Sequence, residues 1–239
     1  MNEVERLLKT ADGDILRWDA APELQGADEF ARCMTDNGIL CAIAHSNADS
    51  EEAQRGIDCG FSHVTHFYNA VTTYHKEGQT VYGGIVEAAY LNSGVTVELI
   101  CDGKHIPRDI LRLALKIKGV NSVAAITDAM RISGTDMKFG KLGGLKNGTD
   151  VIVDSGVAKL PDMSSFAGSI ATMDRCLKVL CLDYGISLTD ASVMLSGTPA
   201  RLSRLGNTKG RIQNGMDADM VLVNREMAVM CVISNGKAN

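Results

Sequence analysis

Short apolar runs alternating with amphipathic stretches fill this sequence from residue 14 to residue 127, and that rhythm restricts the fold more than any other feature. A strand covered on both faces reads as a continuous run of Val, Ile, Leu and Ala. Each parallel strand also needs a crossover, usually a helix, to return to the same edge. Strand-like runs lie at 14–20, 39–44, 63–67, 95–101 and 123–127. Helical stretches at 27–35, 50–58, 84–92 and 109–118 separate them. Pro107 stands just ahead of the last stretch, where a proline is tolerated in the first helical turn. Five such strands are fewer than the eight of a closed (β/α) barrel. Either the sheet is open, or the chain is the later part of a longer barrel.

The rhythm changes after Asp128. Residues 134–156 are glycine-rich and contain the alternating run Asp150-Val-Ile-Val-Asp154, which predicts a β-hairpin excursion at about 134–160. Two longer helices are expected at 169–184 and 188–205, the second capped by Ser187 or Thr189. The tail holds two β-like runs, 218–223 and 228–234.

Composition excludes several function classes. A net charge of -5 gives no reason to expect nucleic acid or an anionic membrane as partner. No apolar stretch approaches the roughly 20 residues that span a bilayer, and the charged, helix-like N-terminus lacks the apolar centre of a signal peptide. The seven cysteines are dispersed without a C-x-x-C pair, as buried thiols in a reducing cytosol would be. These features predict a cytoplasmic protein.

The chemistry-bearing residues fall at strand ends. His45 follows Cys41-Ala-Ile-Ala44, His66 closes His63-Val-Thr-His66, His105 comes four residues after Cys101, and Asp128 follows Ala124-Ala-Ile-Thr127. Successive parallel strands therefore bring three histidines and an aspartate to one carboxyl edge, where catalytic residues of α/β architectures converge. Imidazole nitrogens and carboxylate oxygens are usual ligands of Zn²⁺ and similar ions, and such an ion can bring the pKa of its water to about 7. In that reading His45 and His66 are ligands, Asp128 is the acid/base group, and His105 donates to the substrate. A single histidine at a strand end is more often a hydrogen-bonded structural residue; the set of four points to a metal or hydrolytic site. His63 faces the other way along its strand and is read as structural, and His75 as solvated in a polar loop.

The local sequences carry a resemblance. Ala44-His-Ser-Asn-Ala48, Val64-Thr-His-Phe-Tyr-Asn-Ala70, Cys101-Asp-Gly-Lys-His105, Ile126-Thr-Asp-Ala-Met130, Phe166-Ala-Gly-Ser169, Thr198-Pro-Ala-Arg201 and Gly210–Asp219 resemble, in order, the motifs of N-acetylglucosamine-6-phosphate deacetylases. That family belongs to the amidohydrolase superfamily. The resemblance implies an α/β fold: a (β/α)8 TIM barrel of which only the later strands are present, at 1–209. It also implies part of a small β-sandwich at 210–239. It makes His45 and His66 ligands of one or two divalent ions (Zn, Fe or similar), and Asp128 and His105 catalytic. It sets the sugar phosphate against the backbone of Asn69 and Ala70. Asp102, Gly103, Lys104 and His105, with Phe166, Ala167 and Gly168, would contact the sugar and acetyl group. The implied reaction is hydrolysis of the acetamide to glucosamine 6-phosphate and acetate. The implied partner is a small-molecule amino-sugar phosphate, and the full-length chain would be a homodimer.

Two departures from the family pattern stand out. The family's His-x-Glu-Gly-Pro block, whose glutamate is a metal ligand, has no counterpart here, and Glu23 of Ala21-Pro-Glu23 belongs to a later segment and is not read as its replacement. Eleven positions after His66, where the family carries a phosphate-clamping arginine, this chain has Glu77 beside Lys76. A carboxylate there repels phosphate, and a lysine is a mobile point charge rather than a planar fork. These departures leave open an amidohydrolase acting on another N-acyl sugar or amide, or a catalytically incomplete chain: a fragment, a pseudoenzyme or a subunit completed by a second polypeptide.

Overall fold

The computed structural model describes residues 2–238; Met1 and Asn239, the outer limits of the two expected domains, lie outside it. After helix α1 (Asn2–Ala11), whose Val4 and Leu8 pack on the core, the chain enters βα steps. Strand β1 (Arg17–Ala20) leads to α2 (Ala27–Asp36), β2 (Leu40–Ile43) to α3 (Ser50–Cys59), and β3 (Phe61–Val64) to a hairpin, β4 (His75–Glu77) and β5 (Thr80–Tyr82). Helix α4 (Ile85–Leu91), β6 (Thr96–Ile100), α5 (Arg108–Lys118) and β7 (Val123–Ile126) complete the unit. The five strands form one parallel sheet in the order β1-β2-β3-β6-β7.

Each helix is fixed by its apolar face. In α2, Ala27, Ala31 and Met34 are buried at helical spacing. In α3 a capping box joins the Asp49 carboxylate to the Glu52 N–H and the Glu52 side chain to the Asp49 N–H. Helix α5 buries Leu111 and Ala114 and ends in Lys116 and Lys118, the favourable charge for a helix C-terminus. The Lys118 ammonium also donates to the carbonyls of Ala89 and Asn92, tying α5 to the end of α4.

The later chain departs further from the expected pattern. The glycine-rich excursion is a three-stranded antiparallel sheet, β8 (Phe139–Leu142), β9 (Thr149–Asp154) and β10 (Val157–Lys159), with its own small core around Ile132, Val151, Ala158 and Ala167. The helix expected from residue 169 starts later, as α6 (Met173–Lys178), and continues as a π-helical turn over Val179–Asp183. Ser169 is instead extended, because its N–H donates to the Asp128 carbonyl and its own carbonyl accepts from Met130. Helix α7 (Leu188–Ser192), capped by Ser187, passes through a second π turn into α8 (Thr198–Leu202). The tail strands β11 (Met220–Val223) and β12 (Val229–Ser234) pair with a short β13 (Lys237–Ala238).

A layer of charge lies among the apolar strands. Arg17 and Asp19 are two residues apart on β1 and so share a face. The Arg17 guanidinium donates to Asp19, to Glu98 of β6 and to the Thr65 hydroxyl. His63 is fully buried; its Nδ1 lies 2.6 Å from the Thr96 hydroxyl and its Nε2 3.3 Å from Glu98 Oε1. His63 is thus structural, as read from the sequence. Burial by itself would raise the Glu98 carboxyl, but contact with His63 and the ion pair with Arg17 outweigh it and hold Glu98 at about 2. Among the described residues no helix is long and apolar enough to cross a membrane.

Candidate active site

The three loops that leave β2, β3 and β7 share a backbone feature. His45, His66 and Asp128 all have positive φ, at 47°, 30° and 49°, and so does Ala70 at 50°. Side chains other than glycine seldom adopt this region, and such strain collects at functional sites because surrounding contacts must over-determine it. Here the contacts are backbone hydrogen bonds. The Ala44 N–H reaches the Ala20 carbonyl, Thr65 N–H the Ile43 carbonyl, and Phe67 N–H the Glu98 carbonyl. The first of these bonds fixes the residue before His45, and the other two bracket His66.

The turns aim two imidazoles at one another. His66 Nε2 lies 3.1 Å from His45 Nε2, with the ring planes 87° apart. His66 Nδ1 donates to the Asn69 carbonyl at 2.9 Å, which leaves the lone pair on Nε2. Two nitrogens bound to one tetrahedral Zn²⁺ at about 2.0–2.1 Å stand about 3.3 Å apart, so the pair is spaced to hold a divalent ion between them. Among the described residues, no group of three or more His, Cys, Asp and Glu side chains is arranged to hold a metal. Two imidazole nitrogens are therefore what the described residues bring together at this point.

Asp128 and His105 face the same space. A cavity of ≈ 600 Å³ is lined by His45, His66, His105 and Asp128, by Asn69 and Ala70, and by Phe166, Ala167 and Gly168. Burial pushes the Asp128 carboxyl up, against the opposing pull of His66 and His105. His105 Nδ1 donates to Asp102 Oδ2 at 2.7 Å, and the backbone N–H groups of Lys104 and His105 donate to Asp102 Oδ1 at 2.8 and 3.0 Å. Burial works against the Asp102 charge, but these three bonds prevail and keep its carboxyl below the usual range. The Phe166 ring meets His105 edge to face, centroids 5.0 Å apart. Gly168 sits at φ 104°, a backbone conformation that side chains other than glycine rarely adopt, where segment 166–169 meets the loop after β7.

Three of the expected substrate contacts sit apart from the cavity wall. Asp102 is buried behind His105, Gly103 is turned against Val179, and Lys104 is exposed. Conversely, Met130, Leu142 and Ser165 line the cavity without having been singled out. Leu142 comes from β8, and nothing in a leucine within a glycine-rich excursion marks it as a cavity residue. His75 is not simply solvated: it stacks on Tyr82, centroids 5.5 Å apart, across the β4–β5 hairpin. The buried cysteines bear no sign of reactivity, since burial pushes the Cys41 and Cys176 thiols up to about 12.

Comparison with known proteins decides the family. The sequence model described as the Amidohydrolase family matches residues 19–238. The chain belongs to the amidohydrolase family. Among curated proteins this amidohydrolase chain is 32% identical over 219 residues to an N-acetylglucosamine-6-phosphate deacetylase of Lysinibacillus sphaericus, covering 91% of this chain and 54% of that protein. It is 29% identical over 219 residues to the Homo sapiens protein of the same name, covering 91% and 52% respectively. It also matches the structure of an N-acetyl-D-glucosamine-6-phosphate deacetylase mutant from Mycobacterium smegmatis in complex with N-acetyl-D-glucosamine-6-phosphate. There the TM-score is 0.90 at 28% identity, over 99% of this chain and 61% of that one. The corresponding protein of Thermotoga maritima gives 0.83 at 29% identity, over 98% and 61%. The expected resemblance to this deacetylase family, over part of its length, is borne out. The chain spans about half the length of the curated relatives it matches.

Proposed function

We propose that this chain forms the later part of a metal-dependent deacetylase that hydrolyses the acetamide of N-acetylglucosamine 6-phosphate to glucosamine 6-phosphate and acetate. The observation that carries this reading is the convergence of the His45–His66 pair, Asp128 and the Asp102–His105 pair on one cavity. The relatives' names and the M. smegmatis complex supply the substrate. In this reading the five-stranded sheet is an arc of a (β/α)8 barrel within residues 1–209, and the tail at 210–239 is part of a small β-sandwich. The protein works in the cytoplasm, and the whole enzyme is a homodimer.

His45 and His66 would hold a divalent ion, Zn or Fe or similar, and one or two ions in the complete site. Such an ion, when bound, acidifies water and polarises a carbonyl. The remaining steps belong to this chain's side chains. Asp128 takes the proton of the attacking water and delivers it to the departing amine nitrogen, work that suits a carboxyl raised by burial. His105, its Nδ1 held by Asp102, presents Nε2 to the oxyanion that develops on the acetyl oxygen. Phe166 holds the His105 ring edge-on and, with Ala167 and Gly168, walls the side of the cavity that receives the sugar. Asn69 and Ala70 also line the cavity, and their backbone would receive the phosphate.

Two observations favour a second reading beside this one. Glu77 is exposed on the β4–β5 hairpin where the family has its phosphate-clamping arginine, which suits an unphosphorylated N-acyl sugar. Among the described residues the His45–His66 pair meets no third donor, which suits a catalytically incomplete fragment or a subunit completed by another polypeptide. Acetate release from phosphorylated and plain N-acetylglucosamine, with and without added Zn²⁺, separates these outcomes. Faster release from the phosphorylated sugar, abolished by a chelator, is expected. Glu77→Arg should raise the preference for the phosphorylated sugar by about tenfold, the worth of one exposed charge reversal near a dianion. Release from neither sugar by a complete enzyme that contains this chain would contradict the proposed activity.

A further inference from the structure

Glu23 is not a metal ligand in the sequence reading, and its carboxylate does not line the cavity. It nevertheless grips the turn that carries His45. The Ser46 hydroxyl donates to Glu23 Oε2 at 2.6 Å, and the Asn47 N–H donates to Glu23 Oε1 at 2.8 Å. Ser46 is buried, and its oxygen also accepts from the Ala48 N–H at 3.1 Å, which reserves the hydroxyl proton for Glu23. On its other side the Ser46 N–H donates to the Ala70 carbonyl at 3.0 Å. Ala70 follows Asn69, whose carbonyl fixes Nδ1 of His66.

A continuous chain of bonds thus runs from the loop after β1, through the loop after β2, to the loop after β3. It passes directly beside His45 and Ala70, both held at positive φ. Hydrogen bonds to a carboxylate are roughly twice as strong as neutral ones, and groups that orient metal-binding histidines change metal affinity without touching the ion. We propose that Glu23 is a positioning residue that sets the orientation of the His45–His66 imidazole pair through Ser46 and Asn47. The proposal rests on the reading of those imidazoles as a metal-holding pair.

The test compares the unsubstituted chain with Glu23→Ala, Glu23→Gln and Ser46→Ala, each shown to be folded by circular dichroism. Two quantities are read: the ¹⁵N chemical shifts of the His45 and His66 ring nitrogens without metal, and Zn²⁺ affinity by competition with a chromophoric chelator. Glu23→Ala should shift or broaden the His45 ring signals and weaken Zn²⁺ binding by about 10- to 100-fold. Glu23→Gln keeps an oxygen for one of the two donors and should fall between, and Ser46→Ala should move both readouts in the same direction. Should Glu23→Ala fail to fold, Ser46→Ala carries the comparison. A lowered melting temperature with ring signals and Zn²⁺ affinity unmoved would overturn the proposal. If the unsubstituted chain takes up no Zn²⁺, the metal reading of the pair fails, and the ring signals still decide on Glu23.

Discussion

Asp128→Asn should lower kcat for acetate release by about 10²- to 10⁴-fold, the usual worth of a positioned general acid/base group. KM should change little, because the lost proton transfers occur in the transition state and not on binding. Asparagine is the informative replacement. Asp128 sits at φ 49°, a region that asparagine adopts more readily than other non-glycine residues, so the backbone of the loop is preserved. The carboxylate alone is removed, from a place where burial already disfavours its charge. The melting temperature should therefore hold or rise slightly. Full activity in the variant, measured by acetate release, would remove Asp128 from the mechanism.

Arg17→Met should produce the largest loss of stability. It leaves Glu98, 8% exposed, without its guanidinium partner and also frees Asp19 and Thr65. Stranding one member of a buried pair costs about 3–5 kcal/mol. The Arg17 side chain is 31% exposed, so water recovers part of that, and about 2–4 kcal/mol is expected. In a chain of this size the melting temperature should fall by about 5–15 °C. The same cluster, with His63 and then Arg17 holding the Glu98 carboxyl down, predicts an acid limb in the unsubstituted protein. Glu98 is held at about 2 in the folded state, against 4.5 for an unperturbed glutamate. Unfolded chains therefore take up this proton first as pH falls. The stabilisation is complete above about 4.5 and is lost on the way down to about 2, a change of about 3 kcal/mol. Denaturant titrations at several pH values check this. An acid limb of equal depth in Arg17→Met would show that the ion pair does not cause it.

The sheet and the site were legible in the sequence for the same reason. Runs such as Leu40–Ile43 and Val123–Ile126 are apolar because both faces are covered, and their ends mark one edge. His45, His66, His105 and Asp128 could be placed together from that edge alone, and the structure brings all four to the same cavity. What was hidden depends on partners distant in sequence. Arg17, Asp19 and Glu98 were visible as charges inside strand runs, a signal of a buried network, but their pairing needs β1 and β6 to share a sheet face. Glu23 was assessed only as a possible ligand, because its bonds to Ser46 and Asn47 arise from the packing of two loops. The late start of α6 was equally unreadable: Ser169 and Ala171 look like the beginning of a helix until Asp128 claims the backbone of Ser169.

Crystals grown with Zn²⁺ and measured at the zinc absorption edge test the convergence of these side chains most directly. One anomalous peak about 2.0–2.1 Å from Nε2 of both His45 and His66 is expected, with the Asp128 carboxylate facing the same cavity. Imidazoles turned away from each other, with zinc bound elsewhere or not at all, would contradict it.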